Sequence, residues 1–187
     1  MSLPHAILTA LLEKPSSGLE LARRFDKSIG YFWSATHQQI YRELGKLEQA
    51  GLIRALPSDA PTRGQKKEYE VLPAGRAELT AWTARAEDPK PIRDPLLLRM
   101  RAAGVVGVQG LEAELRRHLA LHRQQLATYT EIEERDFPPE RDTEEDRLRH
   151  LVLGGGIELE TFWTTWLAKA LAQVEEMTAG EGGAPAA

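Results

Sequence analysis

The chain has 187 residues, no cysteine, a formal net charge of -4 and a hydrophobic fraction of 42%. That length allows one large or two small domains, and that composition builds a core, which excludes wholesale disorder. The missing cysteines exclude disulfides and thiolate chemistry and agree with a reducing cytoplasm, while the apolar runs fall short of the roughly 20 residues that span a bilayer.

The opening MSLPHAILTALLEKP lacks a basic leader and a small-residue cleavage site, so no secretory signal is expected. Leu3 to Glu13 reads as a short helix with Ile7, Leu8, Leu11 and Leu12 on one side, and Pro15 stops it. Ser16 or Ser17 then caps a second helix through Leu19, Leu21, Ala22 and Phe25. Gly30 breaks that helix, and Tyr31, Phe32 and Trp33 form an aromatic connection. Ser34 or Thr36 caps a third helix, whose apolar Ile40, Leu44 and Leu47 are spaced four and three apart, and Gly51 terminates it. Leu52 to Leu56 is expected as a strand, residues 57–65 as a loop of turn formers and Lys66 to Leu72 as the returning strand. Pro73 suits the start of a helix that continues from Ala74 to Ala86. The stretch DPKPIRDP, with its prolines and charges, marks a linker.

Beyond it every element reads as helix: Leu96 to Val106, Leu111 to Arg135 and Arg141 to Met177. Asp136-Phe137-Pro138-Pro139 separates the last two, and the triplet Gly154-Gly155-Gly156 is expected to interrupt the final one. The tail from Gly180 has the composition of a disordered end. The expected fold is mainly α: an N-terminal winged helix-turn-helix with a small β-hairpin wing over residues 1–88, a linker at 89–95, a helical dimerisation domain over 96–179 and a tail at 180–187.

Charge is unevenly spread. The acidic excess lies beyond residue 88, whereas Ser34 to Lys67 is locally basic, with Arg42, Lys46, Arg54, Arg63, Lys66 and Lys67 against Glu43, Glu48 and Asp59. DNA responds to such a local patch, so an acidic total does not veto binding. On a wheel of 100° per residue, Ile40, Leu44 and Leu47 define the buried side of the third helix. Opposite lie Ala35, Gln38, Arg42, Gly45 and Gln49, flanked by Ser34, Gln39 and Lys46, with Tyr41 on the flank. Gln and Arg are the residues that bond adenine and guanine edges in two places, and Lys46 and the hydroxyls suit phosphate. Taken alone, that face is an ordinary solvated one. The basic loop Arg63-Gly64-Gln65-Lys66-Lys67 immediately after the helix-strand unit changes the weighing, because a basic hairpin tip reaches the backbone or minor groove beside a recognition helix. The expected DNA-binding residues are therefore Ser34, Gln38, Gln39, Tyr41, Arg42, Lys46, Arg63, Gln65, Lys66 and Lys67.

Three segments, Ile40-Tyr41-Arg42-Glu43-Leu44, Leu47-Glu48-Gln49-Ala50-Gly51-Leu52-Ile53 and Lys67-Glu68-Tyr69-Glu70-Val71-Leu72-Pro73-Ala74-Gly75, resemble the PadR family of bacterial transcriptional regulators. Ile7-Leu8-Thr9-Ala10-Leu11-Leu12 and Gly18-Leu19-Glu20-Leu21 resemble that family's first two helices. The helical remainder, with Gly156-Ile157-Glu158 and Trp166-Leu167, is similar to the C-terminal domain of PadR proteins and of AphA-type virulence activators. Pro73 stands where many members have Thr at the helix cap. The resemblance implies a homodimer on a palindromic operator, a C-terminal domain that clasps its partner and, as in some relatives, a small aromatic effector near the dimer interface.

The last helix carries Phe162, Trp163, Trp166, Leu167, Ala170, Leu171 and Val174 on a stripe too broad for a thin helical unit to bury, which suits a dimer seam as well as intrachain packing. Phe162, Trp163, Trp166 and Leu167 are the expected interface or effector-pocket residues. His118 and His122 have the four-residue spacing of two imidazoles sharing a metal, and Glu114 extends the stripe. The intervening Leu119-Ala120-Leu121 lacks a metalloprotease glutamate, so solvated histidines and no metal are expected. The glycine triplet follows no strand and has no nearby Lys-Ser/Thr, which argues for close helix approach or a hinge over a phosphate cradle. With no nucleophile elbow, metal-hydrolase motif or cofactor fingerprint, neither an enzyme nor a cofactor is expected. The functional expectation is a cytoplasmic, sequence-specific regulator of transcription, a repressor in that a dimer on a promoter blocks polymerase. Its partners are double-stranded DNA, a second copy and a small aromatic effector, with no membrane role. The alternative is a winged-helix scaffold for protein interaction without DNA binding.

Overall fold

The computed structural model describes residues 2–27, 35–57, 67–138 and 143–181. The chain divides into two compact units, Met1–Pro89 and Lys90–Ala187. The fold is mainly α, a winged helix-turn-helix followed by helices.

The first unit runs α1 (Leu3–Glu13), β1 (Ser16–Ser17), α2 (Gly18–Lys27), α3 (His37–Gln49), β2 (Ile53–Ala55), β3 (Glu68–Val71) and α4 (Pro73–Thr83). Ile7, Leu8, Ala10 and Leu11 of α1, Leu21, Ala22 and Phe25 of α2, Ile40, Leu44 and Leu47 of α3 and Ile53 of β2 form one apolar core. Arg24 ties α2 to the end of α1, donating from Nη1 to the Ala10 carbonyl at 2.7 Å, a last-turn carbonyl that also accepts from the Lys14 amide at 3.2 Å. The strands form an antiparallel sheet in the order β1-β3-β2. Ser16 and Ser17 pair with Tyr69 and Glu68, so β1 is a strand that sequence reading did not anticipate. Ser17 also caps α2, accepting from the Glu20 amide at 3.3 Å while Glu20 accepts from the Ser17 amide at 3.0 Å. Both wing strands are shorter than expected, and α4 ends at Thr83. Pro73 occupies its first turn, and Leu72 before it makes no side-chain cap. Gly75 is what lets α4 approach: a Cβ there would stand 2.3 Å from the Leu52 carbonyl oxygen. Gly30 and the Tyr31–Trp33 connection lie outside the described residues.

The second unit holds α5 (Pro95–Val106), α6 (Leu111–Asp136) and α7 (Glu144–Glu181). Asp94 caps α5 by accepting from the Leu96 and Leu97 amides at 2.7 and 3.2 Å. Gly107 and Gly110, at φ 97 and 77, turn the chain into α6. Helix α7 runs back antiparallel along α6, pairing Arg116 with Glu175, His122 with Glu160 and Glu133 with His150. Leu96, Leu111, Leu115, Leu119, Leu167 and Val174 form its core. The expected interruption of the last helix is corrected: α7 is one helix of 38 residues through Gly154, Gly155 and Gly156. An interior glycine costs a helix only about 1 kcal/mol, and Gly156 makes the close approach, since a Cβ there would stand 3.0 Å from Cε2 of Tyr129. Helix α7 extends to Glu181, into the stretch expected as a tail from Gly180, and residues 182–187 lie outside the described residues. Among the described residues, no helix is long and apolar enough to cross a membrane.

Candidate nucleic-acid interface

Helix α3 is fixed at both ends by its own sequence. Thr36 is the N-cap of a full capping box: its Oγ1 accepts from the Gln39 amide at 3.2 Å, and Gln39 Oε1 accepts from the Thr36 amide at 2.8 Å. At the other end Gly51 turns to φ 69, its amide donating to the Glu48 carbonyl and that of Leu52 to the Leu47 carbonyl. This pair of bonds is a Schellman motif, which needs the left-handed conformation that glycine adopts freely. With Ile40, Leu44 and Leu47 buried, the opposite side of α3 faces outward.

On that side Gln38, Arg42, Lys46 and Gln49 are exposed. Gln38 and Arg42 make no hydrogen bond or ion pair among the described residues, so both are free to meet a ligand. The other expected contacts are engaged within the chain. Gln39 serves the capping box. Lys46 pairs with Glu43 at 3.0 Å. Tyr41 is 51% exposed, and its ring lies against Gly18 at the start of α2, where a Cβ would stand 2.4 Å from Cε1. It therefore spaces α2 from α3 as well as flanking the outer face. Lys67, at the base of the wing, is held by both carboxylate oxygens of Glu48 at 2.9 Å and lies 5.4 Å from the centre of the Tyr69 ring. Donating to the Glu48 carboxylate raises the pKa of the Lys67 ammonium above its ordinary value, so it stays charged. Arg54 and Glu70 pair across β2 and β3. Ser34, Arg63, Gln65 and Lys66 lie outside the described residues.

Sequence reasoning missed this charge compensation. The Glu43–Lys46 spacing is legible on a helix, but Glu48 and Lys67 are 19 positions apart and meet only because β3 returns beside α3.

In the second unit the expected aromatic stripe divides. Leu167 is fully buried and packs with Leu115 and Leu119 in the core of its own unit. Trp163 and Trp166 are half-buried against the same core, their rings edge-to-face at 5.6 Å. Phe162 alone of the four is 55% exposed. A groove of about 510 Å³ between α6 and α7 is lined by Arg123, Leu126, Ala127, Thr164, Thr165 and Ala168, none of them from the expected set. The histidines are not freely solvated: His118 Nε2 lies 3.3 Å from Glu114, and His122 Nδ1 lies 2.6 Å from Glu160 while its ring stacks on Trp163. Among the described residues no three His, Asp or Glu side chains converge to hold a metal ion. Glu114 also accepts from Arg117 at 2.8 Å and pairs with Arg99 at 2.6 Å, and the Arg117 hydrogen bond leads in pulling its carboxyl down to about 2.

Residues 7–81 match the family model described as the transcriptional regulator PadR-like family, and residues 92–175 match that of the virulence activator alpha C-terminal region. A probable transcriptional regulator of Mycobacterium tuberculosis is 41% identical, the match covering 94% of this chain and 99% of that protein. The negative transcriptional regulator PadR of Bacillus subtilis is 28% identical over 93% of this chain and 98% of its own. Among solved structures, the Vibrio cholerae virulence activator AphA superposes with a TM-score of 0.80 at 30% identity, over 94% of this chain and 99% of its own. Bacillus subtilis PadR bound to operator DNA gives 0.79 at 28% identity, over 93% and 99%. The same protein bound to p-coumaric acid gives 0.77, over 94% and 99%.

Proposed function

The chain belongs to the PadR family of transcriptional regulators, and we propose that it represses transcription as a homodimer seated on a palindromic operator. The observation that carries the DNA reading is the outer face of α3, where Arg42 and Gln38 stand exposed with no partner among the described residues. Such side chains read base edges in a major groove. Lys46 and Lys67 are the flanking cations for phosphate, together with Arg63, Gln65 and Lys66 of the wing and Ser34 before α3. Residues 96–179 join the two copies, with Phe162 at the seam beside Trp163 and Trp166. A small aromatic effector relieves repression; the Bacillus subtilis relative, solved both with operator DNA and with p-coumaric acid, supports that coupling.

The test is binding of the full-length chain to the DNA upstream of its own coding region. A protected inverted repeat, with affinity falling steeply with salt, is expected. No preference for any duplex over a wide salt range would overturn the reading and favour a winged-helix scaffold for protein interaction. Tryptophan fluorescence titrated with planar phenolic compounds tests the effector. Quenching accompanied by release from DNA is expected, and silence across a broad panel with unchanged DNA affinity would make the regulator constitutive.

A further inference from the structure

Helices α6 and α7 leave a groove of about 510 Å³ between them, within the range of about 300–1,000 Å³ that small-molecule sites occupy. Leu126, Ala127 and Ala168 give it apolar surface, and Arg123, Thr164 and Thr165 give it polar groups. Small side chains keep it open, with one alanine on each helix. On α7 the exposed Leu148, Leu151, Leu159 and Phe162 form an apolar stripe. At 100° per residue, Thr164 and Ala168 stand on the far side of the helix from that stripe. A seam through Phe162 therefore leaves the groove accessible.

The chemistry of the groove is set by Arg123. Its side chain is exposed and makes no hydrogen bond or ion pair among the described residues. Other arginines of the unit are engaged: Arg99 and Arg117 pair with Glu114, and Arg116 pairs with Glu112 and Glu175. The residues three and four positions from Arg123 are Leu119, Ala120, Leu126 and Ala127, and the α7 side of the groove is uncharged, so the groove holds a cation and no anion. A guanidinium is always ionised and presents a planar fork of donors that matches a carboxylate in two parallel bonds. An exposed ion pair alone holds little, so a ligand needs an apolar body against the leucine and the two alanines as well. The Thr165 hydroxyl has no partner among the described residues and can donate. Thr164 Oγ1 already donates to the Thr161 carbonyl at 3.0 Å, which leaves its oxygen to accept, as from a phenol.

We propose that the α6–α7 groove binds a small planar aromatic acid, with its carboxylate in the Arg123 fork and its ring along Leu126, Ala127 and Ala168. The inference rests on the aromatic-effector reading and deepens it by naming the site and the anionic class of the ligand.

The probes are benzoate, 4-hydroxybenzoate and 2-naphthoate, each paired with its uncharged amide, titrated into the full-length chain by ligand-observed NMR. Binding of at least one acid is expected, with its amide weaker by roughly 10- to 100-fold, the worth of a hydrogen-bonded charge. Arg123→Gln should weaken the acid by the same factor and leave the amide unchanged, and Arg123→Lys should recover only part of the loss because it lacks the fork. Ala127→Phe fills the groove from an exposed position and should weaken acid and amide together. Circular dichroism melting verifies that each variant is folded. No binding of any acid at millimolar concentration, or an acid that binds Arg123→Gln as it binds the unmodified chain, overturns the proposal. Operator binding separates it from the effector reading. Release of DNA by phenolic compounds that persists in both Arg123→Gln and Ala127→Phe keeps the effector and overturns this site. An acid that binds through Arg123 and leaves operator affinity unchanged keeps the site and defeats the effector reading.

Discussion

Arg42→Ala separates a base-reading side chain from a merely charged one. The guanidinium is exposed on α3 and touches no described partner, so its removal should leave stability within about 0.5 kcal/mol. A bidentate bond to a base is worth about 1–3 kcal/mol of discrimination. A dimer forgoes it in both half-sites, and additive effects would total about 2–6 kcal/mol, a weakening of roughly 30-fold to 10⁴-fold on the operator. On random duplex the same change removes one positive charge per protomer and no base reading, so affinity there should fall little. Fluorescence anisotropy with labelled operator and scrambled duplex, each at several salt concentrations, reads both effects. Circular dichroism melting verifies that the fold is intact. Equal weakening on both duplexes would make Arg42 a phosphate ligand, and an unchanged operator affinity would remove α3 from the role of recognition helix.

Lys67→Ala should weaken operator and random DNA alike and lower the salt slope by about 0.9 for each phosphate it no longer neutralises, two per dimer. It also uncovers the Glu48 carboxylate; adding Glu48→Gln should recover part of the affinity, and an additive double variant would show that the pair is not coupled on DNA. Gly75→Ala places a Cβ against the Leu52 carbonyl oxygen and a Val71 methyl, both held by the fold. Overpacking of this kind costs about 1–3 kcal/mol, so the N-terminal unit should melt roughly 5–15 °C lower; an unchanged midpoint would mean that α4 shifts freely. For Glu114, with its carboxyl held at about 2 against an ordinary 4.5, the folded state favours ionisation. That contribution is present above about pH 4.5 and fades as pH falls toward 2. Glu114→Gln should therefore destabilise the C-terminal unit at neutral pH and match the unmodified chain near pH 2, and a constant difference in urea midpoints across that window would assign the effect to packing instead.

The first unit was legible because local signals agreed with one another. Ile40, Leu44 and Leu47 set the phase of α3, and Gly51 its end, through bonds confined to a few consecutive residues. What escaped was set at a distance. Strand β1 has two serines with no strand propensity of their own, and exists because β3 offers them a ladder. Likewise no sequence spacing announces that Glu48 will hold Lys67, so the cations beside α3 read as freer than they are.

In the second unit the residues were seen and their partners were not. Phe162, Trp163, Trp166 and Leu167 form one stripe on paper, and only the phase of α6 against α7 decides that Leu167 goes inward while Phe162 stays outside. The glycine triplet misled for a related reason. Read as local punctuation, three glycines end a helix; read against neighbours, Gly156 admits the Tyr129 ring and Gly155 stands at the centre of an exposed apolar stripe. A helix of 38 residues is stabilised far more by packing along its faces than by the propensity of any one turn. The cost of the three glycines is therefore set against packing along the whole of α7, and Leu148 and Leu151 on one side, with Leu159 and Phe162 on the other, belong to a single surface that passes straight through them.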